Sequence, residues 1–530
     1  MEQKRLIIAI AISMLILVVF QQIQAPEPGT EPSKDRPAET VDKETTEHPD
    51  RAVAERELEE TVTDEPIDYQ VKKIITDNII LGVNSYNSGL SKVKIKDKDG
   101  QFINLVRSED PKTSPLKLGN ALNWQLTADR RDNSVTARYT TDKLNIIREY
   151  KIEDNLIKID NFIENSGQSS KEINFNQGWY NGMETAEDLK KENYEDTRLF
   201  LKENSDVEND LTDKRVTGNL KWGGIMNRFF ITVFLNLDQK FNSVITENAK
   251  KEGGGCAGPP EDVNYPEIEF LKTQTLEPGQ EYSFNQEFYI GLKEYSTLRS
   301  FNEDLEKVLA FGIFGFLSRI FLGVLITFYG WVGNYGLAII MMTFLLQIFI
   351  FPLTIKSFKS MNSMKKLQPK TQKIREKYKE DPQRMNEEMM HLYKKHSVNP
   401  VGGCFPLLLQ MPIFISLFTM LRTAAELRFA SFLWINDLAA ADVLFKSVPL
   451  VSEIPVLGSA GPLPLLMGGA MFLQQRVTGG TSGPQKNLTY IMPVAFTFLF
   501  MRFPAGLVLY WLTNSLLTFI VQYTISKKTD

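Results

Sequence analysis

Thr343 and Gln347 stand four residues apart in the apolar run MMTFLLQIFIFPLT, residues 341 to 354. That spacing puts both on one face of a helix. Near the carboxyl end, Tyr510, Asn514, Thr518 and Gln522 repeat every four residues, with Thr513 and Ser515 beside them. Gln410 and Gln474 add amides from two further apolar segments. None of these groups carries a charge at neutral pH; all donate or accept hydrogen bonds. The chemistry open to them is solvation of polar matter inside hydrocarbon. A lone polar residue in a span usually bonds a neighbouring helix, whereas a stripe matched on several helices lines a wet cavity. The stripe favours the cavity, with interhelical bonding as the alternative.

Covalent chemistry finds little support. The histidines are His48, His391 and His396, none with a metal partner at ligand spacing. Cys256 and Cys404 are too few for a disulfide framework and read as free thiols. There is no HExxH, no P-loop, no paired intramembrane aspartates and no convincing Ser-His set. The expectation is a non-enzyme without metal or cofactor. The net charge of -5 gives no reason to expect nucleic-acid sequence recognition.

The elements that must position the polar stripe follow from hydropathy. The 530 residues divide into a polar half, up to about Lys293, and an apolar half from Phe311 onward. Residues 1–24 read as an uncleaved anchor: LIIAIAISMLILVVF follows Lys4 and Arg5, and Pro26 hinders cleavage after Ala25. Residues 25–66, rich in Glu, Thr, Pro and Asp, read as a disordered tether. Residues 67–293 alternate in short strands, as in KVKIKDKDGQFINL and LNIIREYKIEDNLIKIDNF, which predicts an antiparallel β-sandwich. Trp124, Trp179 and Trp222 are expected to pack its core, with a ligand cleft as the other reading. Within residues 294–333, FGIFGFLSRIFLGVLITFYGWVG is interrupted by Arg319 and reads as a helix along the membrane surface, with a span as the other reading.

Residues 334–530 then supply five spans: 334–354, 403–421, one within 455–477, 488–501 and 507–525. The loop 355–402 carries a dense set of Lys and Arg, including Lys365, Lys366, Lys370 and Arg375, so it should face the cytoplasm. Arg476, Lys486, Lys527 and Lys528, with Lys4 and Arg5, agree: both termini in, β-domain out. That arrangement fits the inner membrane of a bacterium with a periplasm. The loop itself reads as a helical hairpin, broken near Pro369, with Asp381 as N-cap and Pro382 in the first turn of the return helix. Met385 and Met389 share a face of that helix. The hairpin is either a solvated anchor or a docking arm for polypeptide or ribosome.

Three motifs together carry a family resemblance: NPVGGCFPLLLQMPIF (399–414), FPAGLVLYWLTN (503–514), and FPLT (351–354) paired with LQPK (367–370). They resemble the YidC family of bacterial membrane protein insertases, over essentially the whole chain. The resemblance implies five spans around a hydrophilic groove, open to cytoplasm and lipid and closed to the outside. It implies nascent membrane proteins as clients, membrane lipids as surroundings, and the Sec translocon and ribosome as partners. It adds Trp511, where some members have tyrosine, to the groove. It also marks a departure: many members carry arginine where this chain has Gln347. The short SKKTD tail leaves any ribosome contact to the hairpin. The competing classes are a solute transporter, for which no inverted repeat or intramembrane ionisable residue appears, and a structural envelope assembly factor.

Overall fold

A computed structural model describes residues 69–96, 100–106, 111–118, 124–153, 155–180, 183, 198–203, 206–209, 211, 214–237, 241, 243–250, 264–301, 303–309, 311–312, 314–396, 405–447, 461–478 and 485–529. The expected anchor and tether, both cysteines and the segment 399–404 of the NPVGGC motif lie outside these residues. The chain forms two compact units, Lys4–Val308 and Leu309–Asp530.

The first unit is the expected antiparallel β-domain. A nine-stranded sheet runs in the order β11 (Asp206–Asn209), β10 (Arg198–Glu203), β13 (Leu220–Met226), β14 (Phe230–Leu235), β17 (Glu281–Leu292), β8 (Leu156–Glu164), β7 (Asn145–Glu153), β6 (Ser134–Thr140) and β5 (Gln125–Asp129), with four-stranded sheets β1 (Val71–Ile75), β2 (Ile79–Asn84), β3 (Leu90–Lys96), β4 (Phe102–Asn104) and β12 (Lys214–Thr217), β15 (Ser243–Lys250), β16 (Asn264–Leu276), β9 (Lys171–Trp179). The strands that matter below are β7 (Asn145–Glu153), β8 (Leu156–Glu164), β9 (Lys171–Trp179), β16 (Asn264–Leu276) and β17 (Glu281–Leu292). In β7 burial alternates strictly, with Ile146, Arg148, Tyr150 and Ile152 inward, as a half-buried strand requires. Aromatic pairs join the two larger sheets: Phe175 of β9 meets Phe284 of β17 at 5.3 Å, and Phe234 meets Phe270 of β16 at 4.8 Å. Trp124, Trp179 and Trp222 are all buried, so they serve the core as expected. Trp222 Nε1 donates to Glu303 O at 2.8 Å, which ties the sheet to the segment that leaves it. A short helix α1, Tyr295–Ser300, closes this unit.

The second unit is helical. Its elements are α2 (Gly315–Val332), α3 (Tyr335–Lys366), α4 (Gln368–Lys377), α5 (Pro382–Lys395), α6 (Phe405–Thr423), α7 (Pro462–Thr478), α8 (Gln485–Phe500) and α9 (Ala505–Thr529). α9 packs against α3, α6 and α7; α8 packs on α7, and α2 packs on α3 and α6. Apolar side chains cover much of the outer surface, among them Phe344, Ile348, Phe349, Ile491, Phe498 and Ile520. In water such a surface would be unstable; against lipid it is the expected one.

One boundary differs from the sequence reading. α3 does not end with its apolar run but continues to Lys366, so the span and the first turns of the basic hairpin are one helix. Pro352 sits inside it, tolerated in an apolar helix because neighbouring groups re-satisfy the freed carbonyl. Among the described residues α2 is, by length and composition, as able to cross a membrane as α3 and α9. Its inner face is narrow: Gly315, Ser318, Phe321, Leu322 and Leu325 are buried, while Phe316, Arg319, Ile320 and Trp331 are exposed. Gly333, with φ of 65°, ends it in the left-handed conformation that glycine adopts freely, and Tyr329 stacks on Tyr335 across the elbow at 3.9 Å.

Candidate functional site: a polar face between three helices and its cap

The polar residues of α3, α6 and α9 meet where these helices pack. Gln347 Nε2 on α3 donates to Thr518 Oγ1 on α9 at 3.4 Å. Gln410 Nε2 on α6 donates to the Tyr510 hydroxyl on α9 at 2.8 Å. These two bonds are interhelical, as the alternative reading of the stripe expects, and each amide keeps donors and acceptors that these bonds do not use. The threonine hydroxyls turn back on their own helices. Thr343 Oγ1 donates to Ile339 O at 2.7 Å, Thr513 to Leu509 O at 2.8 Å and Thr518 to Asn514 O at 2.7 Å. Each hydroxyl thereby spends its proton; Thr343 and Thr513 keep their lone pairs, and Thr518, which also accepts from Gln347, keeps one, for an outside donor.

Burial separates the stripe into two parts. Thr343, Gln347, Tyr510, Ser515 and Gln522 are buried. Gln410, Gln474, Trp511, Thr513, Asn514 and Thr518 are half-buried. Among the described residues the Asn514 side-chain amide has no hydrogen-bond partner, although it sits midway along an apolar helix. An amide left so in hydrocarbon costs free energy of order 1–3 kcal/mol, which water or a passing polar chain would offset. Trp511 packs edge-on to Phe414 at 5.2 Å and near Phe500 at 5.3 Å, forming an aromatic wall beside these amides. Gln474 lies on α7, the third helix against α9.

One end of this helix set is closed by a feature the sequence reading missed. Residues 424–447, between α6 and α7, fold into a cap. Arg428 pairs with Asp437, both largely buried, and Asp437 Oδ1 accepts from Ala439 N at 2.8 Å. Asp442 is also buried: its carboxylate accepts from Trp434 Nε1 at 3.2 Å, Leu444 N at 3.3 Å and Leu463 N at 2.9 Å. The last of these places a negative charge at the amino end of α7, where the helix dipole favours it. The first N–H groups of α9 are satisfied in the same way: Ala505 N donates to Ala440 O at 2.7 Å and Gly506 N to Leu438 O at 2.8 Å. The start of α3 is held by Asn334, which caps Leu337 N at 3.1 Å and donates to Ser431 O at 3.2 Å. Phe432 lies on Gly336 so closely that any Cβ there would collide with its ring. The cap therefore ties together the amino ends of α3, α7 and α9. The signal available in the sequence was a group of charges, Arg428, Asp437 and Asp442, between two apolar runs.

At the other end, α4 and α5 form the expected hairpin. Asp381 Oδ1 accepts from Arg384 N at 3.1 Å, the N-cap bond its position promised. α3 stops at Lys366 and α4 starts at Gln368, so the break falls just before Pro369, which lies in the first turn of α4. Lys366, Lys370 and Arg375 point to solvent, and Lys370 Nζ lies 3.3 Å from His396 Nε2; the side chain of Lys365 lies outside the description. Met389 is buried and Met385 half-buried, so this methionine face is turned inward and Met390 is the exposed one. Replacing Asp381 by Ala should free the first turn of α5: amide exchange over residues 383–386 is expected to rise about fivefold, as hydrogen-exchange mass spectrometry would register, while α4 exchanges as before.

Comparison with known proteins gives a consistent result. Residues 327–530 match the family model described as 60Kd inner membrane protein, and residues 103–324 match that described as YidC periplasmic domain. The membrane protein insertase YidC of Endomicrobium trichonymphae is 36% identical over 447 residues, covering 83% of this chain and 82% of that protein. The insertase YidC of Pelobacter propionicus is 39% identical over 356 residues, 66% of this chain and 62% of that one. Among solved structures, an active YidC insertase with its first transmembrane domain resolved covers 87% of this chain and 94% of its own, with 20% identity and a TM-score of 0.38.

Proposed function

The chain belongs to the YidC family of membrane protein insertases, and on that premise we propose that it inserts membrane proteins along the polar face between α3, α6 and α9. The inner membrane is its location, and membrane proteins are its clients. The observation that carries the reading is the half-buried, unbonded amide of Asn514 among the polar groups of neighbouring helices. Moving an unpaired polar backbone through hydrocarbon costs several kcal/mol per group. A face offering Asn514 and the hydroxyl lone pairs of Thr513 and Thr518 shortens the dry part of that passage. No nucleotide hydrolysis is required by this logic; the client's own apolar segment, sliding along the lipid-facing helices, drives the step.

In this reading Thr343, Gln347, Gln410, Gln474, Tyr510, Trp511, Thr513, Asn514, Thr518 and Gln522 contact or solvate the client's polar tail. Gln347 supplies dipoles and no fixed charge. Both termini lie in the cytoplasm and the β-domain lies in the periplasm, which puts the 424–447 cap at the periplasmic end and the α4–α5 hairpin at the cytoplasmic end. α2 lies along the periplasmic surface, with exposed Arg319 among lipid headgroups and Phe316 and Ile320 in the acyl region. The basic hairpin contacts the ribosome or the Sec translocon when clients arrive from them.

Photocrosslinkers placed at Gln347 and Thr513 in the full chain test the function directly. Both are expected to capture a stalled nascent membrane protein, and a probe at lipid-facing Phe498 should capture its polar tail at least about tenfold less. Equal capture from all three positions would contradict a client path along this face.

A further inference from the structure

The β-domain holds a buried arginine without an acid. Arg148 is 0% exposed, in phase with Ile146, Tyr150 and Ile152 on the inward face of β7. Its three hydrogen bonds go to neutral acceptors: Nε to Asn161 Oδ1 at 2.9 Å, and Nη1 to Ser88 Oγ at 3.0 Å and to Leu116 O at 2.8 Å. Nη2 has no protein partner. The adjacent Tyr150 hydroxyl donates to Ser88 O at 2.5 Å, and burial raises its pKa, so it stays neutral and offers no counter-charge.

Two more buried amides lie on strands that this group is bonded to. Asn161 Nδ2 reaches Gln286 Oε1 at 3.4 Å, which places Gln286 of β17 one residue removed from Arg148, and Gln286 Nε2 has no partner. Leu116 bridges Arg148 to β9, because Leu116 N donates to Gly178 O at 2.9 Å while its own carbonyl takes the guanidinium. Gln177, next to Gly178, is 0% exposed, and neither atom of its amide is bonded. Three fully buried side chains thus present N–H donors with no protein acceptor, against a single unbonded acceptor, Gln177 Oε1. A buried charge stays favourable only when it is paired or fully hydrogen-bonded, and a donor excess around a guanidinium is the arrangement that binds anions.

We propose that Arg148, Gln286 and Gln177 form an internal site for one small inorganic anion of the halide class, held inside the β-domain as the counter-ion of Arg148. The anion would couple β7, β8, β9 and β17 and so stabilise the fold of the domain. The site is unrelated to the polar face of the helical unit, so its occupancy and the insertase activity can be tested separately.

The test uses the full chain in detergent. Crystals grown in bromide should show an anomalous peak within hydrogen-bonding reach of Arg148 Nη2; water density there without an anomalous peak would overturn the proposal. In solution, replacing gluconate by chloride at fixed ionic strength should raise the Tm of the β-domain transition by about 3 °C once chloride reaches roughly ten times its Kd, with saturation. The R148Q variant should lose that dependence whatever its own stability. Because R148Q could fail to fold, Q177L/Q286L serves as the second variant; it keeps the arginine but should weaken the chloride response at least about fivefold. A wild-type Tm identical in chloride and gluconate at every concentration would equally overturn the site.

Discussion

Replacing both Gln347 and Asn514 by leucine should slow insertion of clients with polar tails by about tenfold or more. Interhelical and cavity amides in membranes contribute roughly 0.6–1.7 kcal/mol each, and about 1.4 kcal/mol lost from a transition state is a factor of ten in rate. The two positions act differently. Gln347→Leu removes a donor to Thr518 and one bond between α3 and α9, whereas Asn514→Leu removes an amide with no hydrogen-bond partner among the described residues. Asn514→Leu alone is therefore expected to leave or improve stability while reducing insertion, and this split distinguishes solvation of a client from helix packing. A pulse-chase insertion assay at matched protein levels reads it out. Wild-type yield in the double variant would show that the face takes no part in passage. Clients whose translocated segment is short and apolar should be nearly insensitive, because their passage exposes few polar groups.

The second large effect concerns the cap. Arg428 and Asp437 are 8% and 13% exposed, and removing one member of a buried ion pair typically costs about 3–5 kcal/mol because the other charge stays buried. Arg428→Ala should therefore loosen residues 424–447, free the amino ends of α3 and α9, and admit aqueous reagents from the capped end. Arg428→Ala/Asp437→Ala should recover much of the loss, since neither charge then remains. Amide exchange over residues 428–442 in the single and double variants is the measurement. An Arg428→Ala variant as protected as the wild type would mean that the backbone contacts at Ala440 and Leu438, and the Asp442 cluster, hold the cap unaided.

Much of this architecture is legible in the chain because local rules decide it. Strict alternation in Asn145–Glu153 and Leu156–Glu164 gives neighbouring β-strands, and Asp381-Pro382 starts α5 where a capping residue before proline should. Spacing alone also puts Thr343 with Gln347 on one face of α3 and Asn514, Thr518 and Gln522 on one face of α9, while the meeting of Gln347 with Thr518 is a long-range contact that spacing does not give. What eluded the sequence is decided at long range. The pairing of Gln410 with Tyr510 joins residues 100 apart, which no periodicity encodes. The cap's order comes from contacts of residues 424–447 with helix starts at 334–337, 463 and 505–506, so its own segment carries only an unexplained set of charges. The inward methionines of α5 follow from how the hairpin closes, and a helical-face count cannot say which side is covered. Arg148 is an intermediate case. Its register in NIIREYKIE places it inward with Ile146 and Ile152, and a reading that trusted the alternation over the charge would have found it.

The central claim is that water reaches the uncharged face shared by α3 and α9 partway through the membrane, and thiol chemistry tests it most directly. With Cys256 and Cys404 replaced by serine, single cysteines at Gln347, Asn514 and Thr518 are compared with cysteines at lipid-facing Ile348 and Ile520, in sealed native vesicles, using a charged maleimide. Because the thiolate reacts and needs water to form, the first three are predicted to label at least about tenfold faster than the last two. Equal, slow labelling at all five positions would mean that the polar stripe is helix packing and nothing more.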